Sequence, residues 1–152
     1  MLASMLRPDD LNLPLFVHVL GAMILVGGLL ATSTSVIVAR GDVRTLRIGV
    51  MTLLFVCLPG YIVMRGGAQW IYSREHLDQL DEDPAWIGIG YITADAGALL
   101  ILISLILGAI GLRKLRDGGT GGVRFARIVG VISIILLAAY VVAVWAMTTK
   151  PT

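Results

Sequence analysis

Four apolar runs dominate this sequence, and each is longer than the roughly 20 residues an α-helix needs to cross about 30 Å of hydrocarbon. They cover about residues 13–39, 46–72, 86–112 and 125–147. Reading only two of them as spans would leave two long apolar helices with no soluble core to join. Charged residues make up 14% of the chain and hydrophobic residues 57%, whereas soluble domains carry about 25% charge. That is too little to cover a water-facing surface. The expected fold is therefore all-α: one transmembrane domain over residues 1–152, built as an integral membrane four-helix antiparallel bundle, with the lipid bilayer as its solvent.

Local signals place the helix ends. Asn12 is a candidate N-cap, and Pro14 falls in the first turn, where its missing N–H costs nothing. Asp83 and Pro84 open the third run, and Pro59-Gly60 predicts a kink in the second. The stretch Asp117 to Gly122 reads as a flexible turn. The first run lacks a basic n-region and a small-residue cleavage site and is too long for a signal-peptide core. It is expected to persist as an anchor.

Lys and Arg near the helix ends set the expected orientation. Arg40, Arg44, Arg47, Arg113, Lys114, Arg116, Arg124 and Arg127 flank the first and third loops, against Arg7, Arg74 and Lys150 on the other side. Those two loops are expected to be cytoplasmic. Both termini and the acidic loop holding Glu75, Asp78, Asp81, Glu82 and Asp83 then face out. Trp70, Trp86 and Trp145 all fall at the outer helix ends, as an interfacial belt would. The net charge of +2 comes from these short loops. No basic helix or aromatic-interleaved patch is present, which argues against nucleic acid as a partner. Cys57 is the sole cysteine, so an intrachain disulfide is excluded, and it reads as a small buried apolar side chain.

Apart from Arg47 and Arg127 at the basic ends, the His, Asp, Glu, Lys or Arg residues inside the runs are three: His18, Arg65 and Asp95. Charges within a bilayer are costly and mark functional positions by default. At about 1.5 Å per residue, Arg65 is about 27 Å from Arg47, Asp95 about 27 Å from Arg113, and His18 about 33 Å from Arg40. All three come out near the outer edge of the hydrocarbon. Tyr61, Arg65 and Gln69 share one helix face, as do Tyr91 and Asp95, and Ser133 and Tyr140 are seven apart. On the first helix His18, Gly21, Leu25, Gly28, Thr32 and Ser35 form one small and polar stripe, expected to face protein. The expected site is a polar cluster of Arg65, Asp95, Tyr61, Gln69, Tyr91 and Tyr140 inside the outer half of the bundle. Arg65 and Asp95 are expected in contact, with His18 on the facing stripe. Against this stands a purely structural role: Arg65 holding Asp95 to join two helices, or reaching instead to headgroups, and His18 making one hydrogen bond.

His18 is also the candidate cofactor ligand. Haem takes one or two axial ligands such as His or Met, and copper(I) takes His with Met. A second ligand would come from Met64, Met147 or another protomer, since His76 lies in the acidic loop. No phosphate-binding loop, nucleophile elbow or zinc-protease motif is present, so nothing here identifies an enzyme.

The stretch Phe16-Val17-His18-Val19-Leu20-Gly21-Ala22, followed by Val26-Gly27-Gly28, resembles the first helix of bacterial four-helix integral membrane proteins of unknown function. These are related to the copper-resistance protein D-like and protoporphyrinogen-oxidase-like membrane families. The resemblance is specific over this stretch and elsewhere extends only to length and span count. It implies a bacterial inner-membrane location and a redox, haem b or copper context, with His18 as the matching position. The haem-linked relatives carry further basic or histidine residues in other helices; here Arg65 alone stands in a comparable place.

The functional expectation is a small non-enzymatic membrane protein whose outer-leaflet cluster supports a ligand, cofactor or partner subunit. The alternative is a b-type haem or copper redox protein using His18. The small-residue pairs Gly27/Ala31, Ser104/Gly108 and Ala126/Gly130 predict self-association or docking to a larger membrane complex.

Overall fold

A computed structural model describes residues 11–39, 42–74, 85–117 and 121–149. They form four long helices: α1 (Asn12–Val38), α2 (Val43–Arg74), α3 (Ala85–Arg116) and α4 (Gly121–Thr149). No strand occurs among the described residues. The all-α expectation holds, and four helices are long and apolar enough to cross a membrane. Neighbours run antiparallel in a ring. α1 packs most closely on α2, α3 on α4, and α1 also on α4. The ring has one weak seam, where α2 meets α3. It is closed at the end bearing the two basic connections, where Gly108 lies against Val50. At the other end, which carries both chain termini, the backbones of α2 and α3 stand apart and long side chains bridge them.

Glycine sets the α1–α2 approach. A Cβ on Gly21 would run into the backbone of Met64, and one on Gly67 into the backbone of His18. On Gly60 it would lie 2.9 Å from the Leu25 nitrogen. Each helix thus offers bare backbone where the other's backbone arrives, which maximises dispersion contact. Leu25, Leu29, Leu53, Cys57, Ile101, Val129 and Leu136 fill the centre. The outward faces carry exposed apolar residues, among them Phe16, Met23, Ile37, Phe55, Ile62, Leu99, Ile106 and Trp145. Most hydroxyls in the helices bond back to their own helix, as Ser33 does to the Leu29 carbonyl at 2.8 Å and Ser133 to Val129 at 2.9 Å. Apolar packing rather than interhelical hydrogen bonding therefore holds the bundle.

Three expectations about helix ends need correction. Leu11, not Asn12, is the N-cap of α1, and its side chain makes no capping hydrogen bond. α2 starts at Val43, so Arg44 and Arg47 belong to its first turns rather than to a loop. The cap is Asp42, whose carboxylate accepts from the Thr45 N–H at 2.8 Å and the Thr45 hydroxyl at 2.6 Å. α4 starts at Gly121 rather than near Phe125, because Gly122 lets it lie against the Gly111 carbonyl and Leu115. Close packing here outweighs the poor helix propensity of glycine. Near Pro59, where the sequence predicts a kink, α2 widens into a π-turn over Leu53–Cys57, with the Leu58 N–H reaching back to the Leu53 carbonyl. Pro59 cannot donate and crowds the preceding turn, and the wider turn relieves that crowding. Asp83, Pro84, His76 and the other acidic-loop residues lie outside the described residues, as do residues 118–120 of the glycine turn.

Gly21→Ala and Gly67→Ala should each lower stability in detergent by about 1–3 kcal/mol, the range for overpacking. Gly27→Ala and Gly66→Ala, where a methyl meets nothing within 4 Å, should be neutral or slightly stabilising. At the Asp42 cap, the Thr45 hydroxyl and then the Thr45 N–H hold the carboxyl below its ordinary value of 3.8. The folded value is the lower one, so the cap is complete above the ordinary value and fades as pH falls through the folded one. Amide exchange at Arg44 and Thr45 should therefore quicken at neutral pH in Asp42→Ala and far less in Asp42→Asn.

Candidate functional site

Two polar sites occupy the end that carries the termini, and they lie on different faces of α2. The first joins α1 to α2. His18 sits on the buried stripe of α1 with Gly21, Leu25 and Gly28, and Gly67 receives it closely. Its Nδ1 lies 2.9 Å from the Met64 carbonyl. A carbonyl only accepts, so Nδ1 is the donor in this contact and Nε2 is not engaged by it. His18 is half-buried and is held in one orientation by the neighbouring helix.

The second site bridges α2 to α3 across the weak seam. One guanidinium nitrogen of Arg65 lies 3.0 Å from an Asp95 carboxylate oxygen. The guanidinium also stacks over the Tyr91 ring, 4.5 Å from its centroid. Tyr72 meets Tyr91 edge-on at 5.8 Å between centroids. The sequence pointed to Arg65, Asp95 and Tyr91 and missed Tyr72. The helical offset of seven from Arg65 to Tyr72 was the signal available.

The contact between Arg65 and Asp95 forms as expected, but the expected interior placement does not. The Asp95 side chain is 67% exposed and that of Arg65 29%. Asp95 lies on the outward stripe of α3, between Ile92 at 72% exposed and Leu99 at 60%. The inward positions beside it belong to Ala94 and Gly97, which admit close packing where a carboxylate would need desolvation. Gln69 also faces outward, one turn from Arg65. His18 is not on a stripe facing the ion pair, because it meets Met64 in the α1–α2 interface while Arg65 turns to α3.

Tyr61 and Tyr140 lie behind the ion pair. Tyr61 is half-buried against the core cluster that includes Met64 and Tyr140. Tyr140 is 5% exposed, and its ring tip fills the space a Cβ on Gly97 would take. Among the described residues nothing bonds to the Tyr140 hydroxyl or to the buried hydroxyl of Ser104. Gly97 and Ser104 were not foreseen as parts of a site, since their roles depend on which residues of α4 face them. Cys57 is buried, with its sulfur against Gly28. No group of three or more His, Cys, Asp or Glu able to hold a metal occurs among the described residues.

No family model, curated protein or solved structure matches this chain.

With the Asp95 side chain 67% exposed, losing Arg65 does not strand its carboxylate in a desolvated place. Arg65→Ala and Arg65→Ala combined with Asp95→Ala should therefore differ little in stability. Because Asp95 is mostly exposed, the coupling in detergent should be about 0.2–1 kcal/mol, as for accessible pairs. A double-mutant cycle on thermal or denaturant unfolding reads it directly.

Proposed function

We propose that this chain is a multi-pass integral membrane protein of the bacterial inner membrane, N-out and C-out, with a non-enzymatic role. Its polar cluster near the outer leaflet binds a ligand, cofactor or partner subunit. The apolar outward faces support the membrane reading, because so continuous an apolar exterior is stable only against lipid or protein. The eight Lys and Arg flanking the first and third loops support the orientation. The observation that carries the binding reading is the ion pair of Arg65 and Asp95, turned outward across a seam that the helices leave loosely packed. An ion pair on a lipid-facing stripe is costly unless something polar covers it. The unbonded Tyr140 hydroxyl behind it adds a second group in want of a partner. Self-association is part of this reading through Gly27 and Ala31, which face outward. Ser104/Gly108 and Ala126/Gly130 are buried within the bundle and are not available for it.

His18 supports a second reading, a b-type haem or copper protein, in line with the resemblance of its first helix. A histidine that ligates iron or copper commonly donates its other ring N–H to a carbonyl, which fixes the tautomer and raises ligand basicity. The bond to Met64 does this for Nε2. The chain supplies one axial nitrogen in this way, which fits haem better than a metal needing three protein ligands. Bound haem would bring one-electron redox chemistry, and the residues here would hold and orient it.

Reporter fusions test the orientation. A reporter active only outside should be active at the C-terminus and silent in the connection between α3 and α4; the reverse pattern overturns the topology. Native mass spectrometry of protein extracted in mild detergent should show a bound adduct that is lost in Arg65→Gln and in Asp95→Asn. A Soret band that vanishes in His18→Ala while the adduct persists would favour the second reading. A colourless preparation from haem-replete cells would remove its haem form.

A further inference from the structure

We infer that the seam between α2 and α3 is a headgroup site for a zwitterionic aminophospholipid, with Arg65 engaging the phosphate and Asp95 the primary ammonium. This rests on the binding reading above and names the ligand class. Four observations carry it.

The first is depth. Arg65 is about 27 Å from Arg47, and Asp95 about 27 Å from Arg113, at about 1.5 Å per residue. A hydrocarbon layer about 30 Å thick puts both at the far boundary, within reach of headgroups. Trp70, one turn beyond Arg65, is partly exposed at the level where interfacial aromatic residues gather.

The second is the state of the ion pair. A single contact at 3.0 Å joins one guanidinium nitrogen to one carboxylate oxygen. Arginine has five N–H donors and an ionised carboxylate about four acceptor sites. Most of that capacity is therefore unused among the described residues, and the Asp95 side chain is 67% exposed.

The third is charge complementarity. The pair presents a cation and an anion side by side with no net charge. A singly charged group would be drawn to one half and repelled by the other. A headgroup holding a phosphate and an ammonium a few ångströms apart matches both when laid antiparallel to the pair. Guanidinium favours phosphate through paired N–H donors. An –NH3+ group donates hydrogen bonds to a carboxylate, and a trimethylated ammonium cannot.

The fourth is access. Helix packing across the seam is sparse at this end, and Gly66, next to Arg65, meets nothing within 4 Å of a Cβ position. The ladder Tyr61, Arg65, Gln69 and Ser73 gives the seam a polar edge leading out to the end of α2. On the hydrocarbon side of Asp95, the exposed Leu99 and Leu102 offer apolar surface for acyl chains.

The test uses the purified, delipidated full chain. Bound fraction by native mass spectrometry and thermal midpoint are followed against phosphatidylethanolamine, phosphatidylcholine and phosphatidylglycerol of matched chains, and against free phosphoethanolamine. Phosphatidylethanolamine should bind about tenfold more tightly than phosphatidylcholine, the ratio one charge-assisted hydrogen bond supports. Phosphatidylglycerol should not surpass it, and the soluble headgroup should give no shift. Asp95→Asn, which keeps shape and removes charge, should erase the preference for ethanolamine over choline. Equal binding of the two zwitterionic lipids by the unaltered protein overturns the inference, as does tighter binding of phosphatidylglycerol. So does a dimer through this face that excludes lipid. In each of those cases an adduct from cells that still requires Arg65 and Asp95 would leave the binding reading intact, while loss of any such adduct would end both.

Discussion

The close approach of α1 and α2 is the constraint on which the rest depends. Gly21 and Gly28 on one helix, and Gly60 and Gly67 on the other, let two backbones meet where side chains would hold them apart. In a bilayer there is no hydrophobic drive to bring apolar helices together, so contact area must come from fit. The same approach places the Met64 carbonyl within hydrogen-bonding distance of His18. Alanine at Gly67 would push on the His18 backbone itself. The orientation of the histidine therefore follows from the packing of small residues, and the chemistry of this site cannot be separated from the stability of the interface.

The two polar sites differ in how desolvated they are, and this decides what each can do. His18 is clamped between helices, half-buried, with one nitrogen committed. Its other nitrogen is held in a fixed place. Arg65 and Asp95 are joined across a gap and remain open on one side, so they suit reversible recognition. The stacking of Arg65 on Tyr91 restrains the guanidinium at little cost to its donors, which lie in the plane of the group.

Much of the fold was legible because hydrophobic run length is a strong signal, and four such runs admit few arrangements. The pairing of Arg65 with Asp95 was legible as well, since charge inside an apolar run demands a partner. The outward direction of Asp95 was not. Depth along a helix is a count of residues, but facing depends on which neighbours the helix has, and the inward positions turned out to belong to Ala94 and Gly97. The start of α4 at Gly121 was hidden for a similar reason: glycine looks like a turn until the carbonyl of Gly111 is seen lying against it. The unbonded hydroxyls of Tyr140 and Ser104 exist only as relations between helices, and no run of residues announces them.

The π-turn at Leu53–Cys57 leaves the facing of α2 intact. Buried positions on either side of it, Leu46, Gly49, Leu53, Cys57, Gly60, Met64 and Gly67, keep one spacing of three or four residues. The helix therefore takes up the irregularity before Pro59 without turning its later half away from α1. Arg65 follows buried Met64 directly, so the stripe that meets α1 also fixes how far round the helix the guanidinium stands, and the seam inherits its geometry from an interface it does not touch.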